Sequence, residues 1–325
     1  MSMPMQTDPI VVFGGTGFVG GHLLNKLKAI HHGRIISVDA KAPALRCEGV
    51  EYVTHDVRDL TALDLGCEVP TIFNLAAVHT TPGHAPWEYY DTNVRGAIQI
   101  ARFARAHKTR QICFTSSISI YGPSEAPKDE TAVAEPESDY GRSKLMAEYV
   151  FSDWVNEAQE RRLVITRPAV VFGPREGGNF TRLARMLQRG LFVYPGRQDT
   201  IKSCIYVDDL IEWMLYALEQ QEKTVLFNAA FHDRYTIKDI VETFRAVAFP
   251  KARTLTLPAV LLKAVATVLQ PISRSGLGVH PERIEKLMRS TNILPAWADA
   301  QGLPTKNRLR VSLESWREQT NGDFS

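Results

Sequence analysis

Short β-branched runs alternate with longer stretches of helical periodicity through the first half of the chain. Residues 10–13, 34–38, 50–53, 71–75, 111–115 and 163–166 are near-continuous apolar runs, which predict strands buried on both faces. Residues 18–29, 93–107 and 138–156 carry the 3.6-residue period of helices, and a shorter helix is predicted near Leu60. Strands alternating with helices imply right-handed crossovers and an α/β fold: a doubly wound, parallel, Rossmann-type sheet. The pattern loosens after Pro168. Gly and Pro between Val170 and Gly178 predict a loop between domains, followed by helices at 180–189 and 208–219 and one further strand at 225–228. Residues 237–247 and 259–269 read as helices of a smaller C-terminal part.

Composition narrows the class of protein. Of 325 residues, 44% are hydrophobic and 23% charged, with a formal net charge of +2, as in an ordinary globular protein. No run of five like charges marks a nucleic-acid-binding surface. Residues 1–9 read as a short disordered lead without the apolar core of a signal peptide. The apolar run 259–269 lies between Pro258 and Pro271 and is interrupted by Lys263; a bilayer span needs roughly 20 residues. Cys47, Cys67, Cys113 and Cys204 lie far apart with no CxxC spacing, which predicts reduced thiols and a cytoplasmic protein without a membrane span. The nine histidines show no metal-ligand spacing and HExxH is absent, so no metal is expected.

Chemistry first appears where the first strand meets the first helix. Phe13-Gly14-Gly15-Thr16-Gly17-Phe18-Val19-Gly20 fits both GxGxxG and GxxGxxG. Glycines there let a pyrophosphate approach the backbone at a helix N-terminus. Asp39 closes the second strand nineteen residues beyond Gly20, where a carboxylate accepts hydrogen bonds from the adenosine ribose and repels a 2′-phosphate. The predicted cofactor is therefore NAD. A turn or helix-cap aspartate is the alternative for Asp39.

Further on, Tyr140-Gly141-Arg142-Ser143-Lys144 places Tyr140 and Lys144 one helical turn apart on the same face. This pair follows the strand 111–115, which runs into Ser116-Ser117 and then Tyr121-Gly122. The arrangement suits a proton relay, in which a lysine ammonium draws the phenol pKa down from about 10. Tyr140 would exchange the proton and Ser117 would align the substrate oxygen.

With these motifs in place, the chain resembles the extended short-chain dehydrogenases/reductases, the superfamily of UDP-galactose 4-epimerase and its nucleotide-sugar relatives. His55-Asp56-Val57-Arg58-Asp59 resembles the family's adenine segment, which implies adenine contacts for Asp56 and Val57. Asn74-Leu75-Ala76-Ala77 resembles the strand end that lines the cofactor, and Asn93 the asparagine of the next helix. The stretch from Phe114 to Gly122 resembles SSxxxYG, which maps the catalytic serine to Ser117 with Ser116 beside the cofactor. Arg167-Pro168 through Phe172-Gly173-Pro174 resembles the RP…YGP stretch, which brings Pro168 and Val170 to the nicotinamide. Ile205-Tyr206-Val207-Asp208-Asp209 resembles YVDD.

The departures are informative. Dehydratases of the family carry an acidic pair after the threonine of the active-site strand; Thr115 is followed by Ser116 and Ser117, which disfavours 4,6-dehydration. Many relatives place an arginine just before YVDD to grip a diphosphate. Lys202 stands there, a point charge without the bidentate fork, with Arg175, Arg182, Arg197 and Arg283 as other available cations. The resemblance implies substrate contacts at Asn179 and Lys202 as well as at Ser117. His79 is either a substrate contact or a loop histidine, and Asn179 is alternatively a helix cap.

The resemblance thus implies nucleotide-sugar 4-epimerisation with bound NAD. It leaves open a keto-sugar reductase, a 3β-hydroxysteroid-like dehydrogenase and a non-catalytic NAD-sensing regulator. It also implies discontinuous domains, 1–175 with 199–230 for NAD and 176–198 with 231–325 for substrate. Surplus apolar residues on helices 93–107 and 138–156 predict a homodimer. If Asp39 selects the cofactor, Asp39→Ala loses NAD affinity and narrows the gap with NADP. Dissociation constants for both nucleotides check this, and a wild type that already prefers NADP contradicts it.

Overall fold

The computed structural model describes residues 7–80, 83–258, 285 and 287–325. The chain runs from β1 (Ile10–Phe13) through α1 (Phe18–Ile30) to β2 (Ile35–Asp39) and β3 (Glu51–Thr54), then crosses to β4 (Thr71–Asn74) on the other side of β1. A short α2 (Pro86–Tyr89), a π-helical turn (Tyr90–Arg95) and α3 (Gly96–Ala106) lead to β5 (Gln111–Thr115). A 3₁₀ turn (Ile118–Tyr121) and β6 (Ser124–Lys128) precede α4 (Asp139–Asn156) and β7 (Arg162–Pro168). After β8 (Val170–Phe172), α5 (Asn179–Gln188), β9 (Leu191–Pro195), β10 (Cys204–Tyr206) and α6 (Val207–Leu218), β11 (Thr224–Ala229) returns to the sheet. The remainder comprises α7 (Ile237–Val247), β12 (Arg253–Leu257), β13 (Thr291–Ile293), α8 (Ala296–Ala300) and α9 (Arg308–Gln319).

The main sheet has seven strands in the order β11-β7-β5-β4-β1-β2-β3, and every pairing in it is parallel. Alternate side chains feed two cores, as the two-residue period of a strand requires. Val11, Phe13, Ile72, Ile112, Phe114 and Ile165 meet Ala97, Ile100, Phe151 and Trp154 of α3 and α4. Ile10, Val12, Phe73, Val164 and Phe227 face the other way, toward Leu23 and Leu27 of α1 and Trp213 and Met214 of α6. That second core continues into an aromatic cluster in which Phe172 stacks on Phe180 at 4.3 Å and also meets Tyr206, Phe231 and Trp316.

Several local expectations give way. Val170–Phe172 is not loop: this run pairs in parallel with Cys204–Tyr206, and its residue Phe172 is fully buried. The helix expected near Leu60 is replaced by turns, because Asp59 Oδ1 accepts the Thr61 N–H at 3.1 Å and Asp64 Oδ1 the Gly66 N–H at 2.8 Å. The helix expected from Asn93 starts earlier, at Pro86, and passes through the π-helical turn. The lead is engaged at Asp8, whose carbonyl accepts a 2.9 Å hydrogen bond from the His31 ring and whose carboxylate pairs with Arg110. The predicted helix 259–269 lies outside the described residues, among which no helix is long and apolar enough to cross a membrane.

Candidate active site

The strand order reverses at β1, so the connections leaving β1 and β4 diverge and open a crevice at the carboxyl ends of these strands. The glycine loop fills its floor. Gly14 has φ +79°, and a Cβ there would stand 2.6 Å from the Ala76 amide nitrogen, so only glycine fits. Helix α1 then starts from Gly17 with no side-chain cap and no acidic residue in its first turn. The amides of Phe18, Val19 and Gly20 have no carbonyl one turn back, which leaves a positive helix end in the crevice. Asp39 stands beside it: one carboxylate oxygen accepts the Thr16 N–H at 3.2 Å, the other the Lys41 N–H at 3.1 Å. Arg34 turns away, forming a fork with Glu51.

Asp56 and Val57 follow β3. Asp56 is gripped by the Arg58 guanidinium, which holds its carboxyl below the usual carboxylate range, while Val57 is buried against Gly96. Leu75, Ala76 and Ala77 follow β4; the Leu75 N–H donates to Phe13 O at 2.9 Å. Asn93 is buried in the π-helical turn, a geometry often found at functional sites. Its amide exchanges hydrogen bonds with the Val78 backbone at 2.9 and 3.1 Å and donates to Ser143 Oγ at 2.9 Å. Asn93 therefore ties the segment after β4 to α4.

Strand β5 delivers the serines. Ser116 is buried, its N–H donating to Thr166 O at 2.7 Å; Ser117 caps the 3₁₀ turn, accepting the Ser119 N–H at 3.1 Å. Helix α4 begins at the Ser138 cap and lies so close to this turn that a Cβ on Gly141 would come within 2.4 Å of Ser119 O. That contact brings Tyr140 near Ser117, whose hydroxyl donates to Ser119 Oγ at 3.1 Å and acts to lower the phenol pKa. Lys144, only 1% exposed, sits one turn further with Nζ 4.4 Å from the centre of the Phe114 ring. His79 packs near Lys144; burial and that positive neighbour hold its ring below the usual histidine pKa, against a hydrogen bond with the Ala77 backbone.

The electrostatics differ from the sequence expectation. Burial pushes the Tyr140 phenol up, only partly offset by the Ser117 hydrogen bond. Burial also pulls the Lys144 ammonium down to about 7, opposed by Glu148. Desolvation disfavours the charged form of each group, and at the phenol the group that opposes it is Ser117 rather than the lysine.

A profile of the NAD-dependent epimerase/dehydratase family matches residues 10–230, more than half of the chain. The chain belongs to that family. An Escherichia coli O157:H7 protein named N-acetyl-alpha-D-glucosaminyl-diphospho-ditrans,octacis-undecaprenol 4-epimerase is 35% identical over 216 residues, 66% of this chain and 64% of its own length. The match thus spans less than two thirds of that relative. The UDP-glucose 4-epimerase of Lactobacillus helveticus is 24% identical over 275 residues, 73% of this chain and 81% of that protein. Among solved structures, the UDP-N-acetylglucosamine 4-epimerase of Methanobrevibacter ruminantium M1, in complex with UDP-N-acetylmuramic acid, superposes with TM-score 0.78. It is 19% identical, over 98% of this chain and 99% of that one. The UDP-glucuronic acid 4-epimerase of Bacillus cereus, in complex with UDP-glucuronic acid and NAD, gives TM-score 0.73 at 18% identity over 96% and 99%. Both share the Rossmann-type fold of this family member.

The remaining expected positions of this epimerase/dehydratase-family chain lie apart from the Ser117–Tyr140–Lys144 group in sequence. Pro168 ends β7 and Val170 opens β8, its N–H donating to Ser203 O at 3.2 Å. Asn179 is exposed as the first residue of α5, but it is not the cap: Gly178 holds that place and the Glu176 carboxylate accepts the Thr181 N–H at 2.9 Å. The Lys202 ammonium donates to Arg289 O at 2.5 Å, and burial pulls it down to about 8, opposed by nearby Glu125. Arg197 pairs with Glu125 and Asp199, and Arg283 lies outside the described residues. Among the described residues no group of three His, Cys, Asp or Glu side chains could hold a metal ion. One buried pair escaped sequence reasoning. Glu148, four residues beyond Lys144, accepts both arms of Arg167, and the four-residue spacing was its only signal.

Proposed function

We propose that this chain is an NAD-dependent 4-epimerase of a diphosphate-linked sugar, with a nucleotide sugar as the favoured substrate. The observation that carries the reading is the Ser117–Tyr140–Lys144 group beside an uncapped helix end at the reversal of the sheet. Two features fit NAD. The first-turn amides of α1 suit a pyrophosphate, and the Asp39 carboxylate, fixed beside Thr16, suits an unphosphorylated ribose. Gly14, Gly15, Thr16, Gly17, Phe18, Val19 and Gly20 would hold the diphosphate. Asp56, Val57, Leu75, Ala76, Ala77, Asn93, Ser116, Pro168 and Val170 would line the rest of the cofactor site. The substrate would be gripped by residues of 176–198 and 231–325, together with His79 and Lys202.

Bound NAD supplies a reversible acceptor for a hydride. Ser117 would hydrogen-bond the reacting sugar oxygen and fix its direction. Tyr140 would take the hydroxyl proton and return it after the sugar has turned its other face. The phenol ionises more readily beside positive charge, so an ammonium on Lys144 and the charge of the oxidised nicotinamide would offset its burial. Lys144 would also hold the nicotinamide ribose.

The lipid-linked form of the same substrate class is the second reading. It is favoured by the 35% identity to the undecaprenol-diphosphate-sugar epimerase, against 24% to the L. helveticus UDP-glucose enzyme. On either reading the free thiols suit a cytoplasmic protein.

Tyr140→Phe is expected to lower turnover by about 10²–10⁴ while NAD binding stays intact, because only the phenolic proton is lost. Near wild-type turnover contradicts the proton-transfer role. The overall reading is tested by offering the purified enzyme UDP-sugars and polyprenyl-diphospho-sugars without added cofactor. Epimer formation establishes 4-epimerisation, and the preferred panel identifies the carrier. Steady NADH production from sterols or simple alcohols, with no epimer from either panel, overturns it. We further propose a homodimer through α3 and α4, where Ile98, Met146 and Tyr149 are exposed at 38%, 45% and 61%. A single dimeric species in sedimentation at micromolar concentration is expected, and a monomer refutes it.

A further inference from the structure

Behind the active site lies a chain of buried polar side chains that the reaction itself does not use. Arg167 on β7 and Glu148 on α4 are 7% and 4% exposed. The guanidinium donates to both carboxylate oxygens, at 3.0 and 2.7 Å, so the carboxylate cannot swivel. The third arm of Arg167 donates to Tyr121 Oη at 2.7 Å, with the guanidinium 5.0 Å from the centre of that ring. Tyr121 donates in turn to Asn228 Oδ1 at 2.9 Å, and the Asn228 amide donates to Leu294 O at 3.1 Å. The chain joins the helix that carries Tyr140 and Lys144, the turn capped by Ser117, strand β11 and the segment before α8.

A buried ion pair is a poor fastener. Stripping both ions of water is costly, and apolar side chains would join α4 to β7 at less expense. Its position suggests what it does instead. Glu148 lies one helical turn beyond Lys144 on the same face, and its charge opposes the burial of an ammonium with 1% exposure. The other groups facing Lys144 supply no negative charge: the Phe114 ring from β5, the His79 ring after β4, and Tyr140 on its own helix. Arg167 adds positive charge from β7, behind Glu148.

We propose that Glu148 is a positioning residue, clamped by Arg167 so that its carboxylate is fixed one helical turn from the buried Lys144 ammonium and keeps it charged. The proposal rests on Lys144 as an active-site group, but its electrostatics stand apart from the identity of the reaction. Removing the carboxylate leaves Lys144 facing Arg167 alone, whereas removing the guanidinium leaves it facing an unpaired carboxylate. The two deletions therefore act in opposite directions on the lysine.

The experiment is a titration of purified holoenzyme carrying ¹³Cε-labelled lysine, with the Lys144 signal assigned by its loss in Lys144→Arg. Glu148→Gln is expected to lower the Lys144 midpoint by about one pH unit or more, and Arg167→Gln to raise it. The double variant Glu148→Gln/Arg167→Gln should fall between the wild type and Glu148→Gln. The alkaline limb of the pH–rate profile should move with the lysine in each variant. Unchanged midpoints, or midpoints moving the same way in both single variants, overturn the proposal, since general loosening has no sign. Should Glu148→Gln not fold, the order Arg167→Gln above wild type above the double variant decides the matter. If no sugar is epimerised but the midpoints follow this order, the assigned reaction falls and the clamp stands. If sugars are epimerised while the midpoints do not move, the clamp falls alone.

Discussion

The architecture depends on one constraint: β1 is hydrogen-bonded in parallel on both edges, to β2 and to β4. A parallel neighbour on each side cannot be reached by a hairpin, so both connections cross over the sheet and leave opposite faces at the same end. The crevice between them needs no residues of its own to stay open. The glycine loop, the Leu75–Ala77 segment and the serines after β5 all project into it because their strands stop at the same level. The segments proposed to meet the cofactor and the substrate are thereby brought to one rim before any side chain is considered.

The rim is dry on its inner side, and that decides its electrostatics. Lys144, Glu148, Asn93, Ser116 and Ser117 are all buried, and hydrogen bonds or an ion pair involve Glu148, Asn93 and Ser117. Burial shifts Tyr140 and Lys144 toward their uncharged forms. Lys144, drawn down to about 7, sits near the balance between its protonation states, where a modest nearby charge decides which one is occupied. That is the setting in which a fixed carboxylate one turn away has leverage.

The parts that could be read from the sequence are those with a period or a fixed spacing. Five of the six strand runs stood out because both faces are buried, β3 at the sheet edge being half-exposed, and the glycine loop and Tyr140–Lys144 because spacing alone aligns them. The π-helical turn at Tyr90–Arg95 has no sequence period to betray it. Val170–Phe172 is too short for periodicity and sits among Gly and Pro. Leu60 and Leu63 imitate a helical face, yet Asp59 before them and Asp64 after them take up the backbone amides and fold the segment into turns. The direction of the Tyr140 shift was misjudged because burial depth belongs to the assembled fold, not to neighbours four residues apart. Glu148 and Arg167, nineteen positions apart, are joined only once α4 is laid on the sheet.

The second core carries a consequence for how the protein is made. It holds Ile10, Val12 and Phe73 from the earliest strands together with Leu313, Trp316 and Phe324. In the same layer Trp316 and Phe324 meet at 5.2 Å, and both pack on Phe244. On the ribosome, α1 and α6 can cover this face of the sheet once they emerge, but the aromatic cluster around Phe172 and Phe244 stays open until residues beyond 300 have left the exit tunnel. At about 5–20 residues per second, that interval lasts many seconds, during which the cluster is open to chaperones or to misassociation. Helix α9 therefore closes the aromatic end of a core whose sheet end is complete much earlier, and the nascent protein carries that open cluster when its glycine loop is already made.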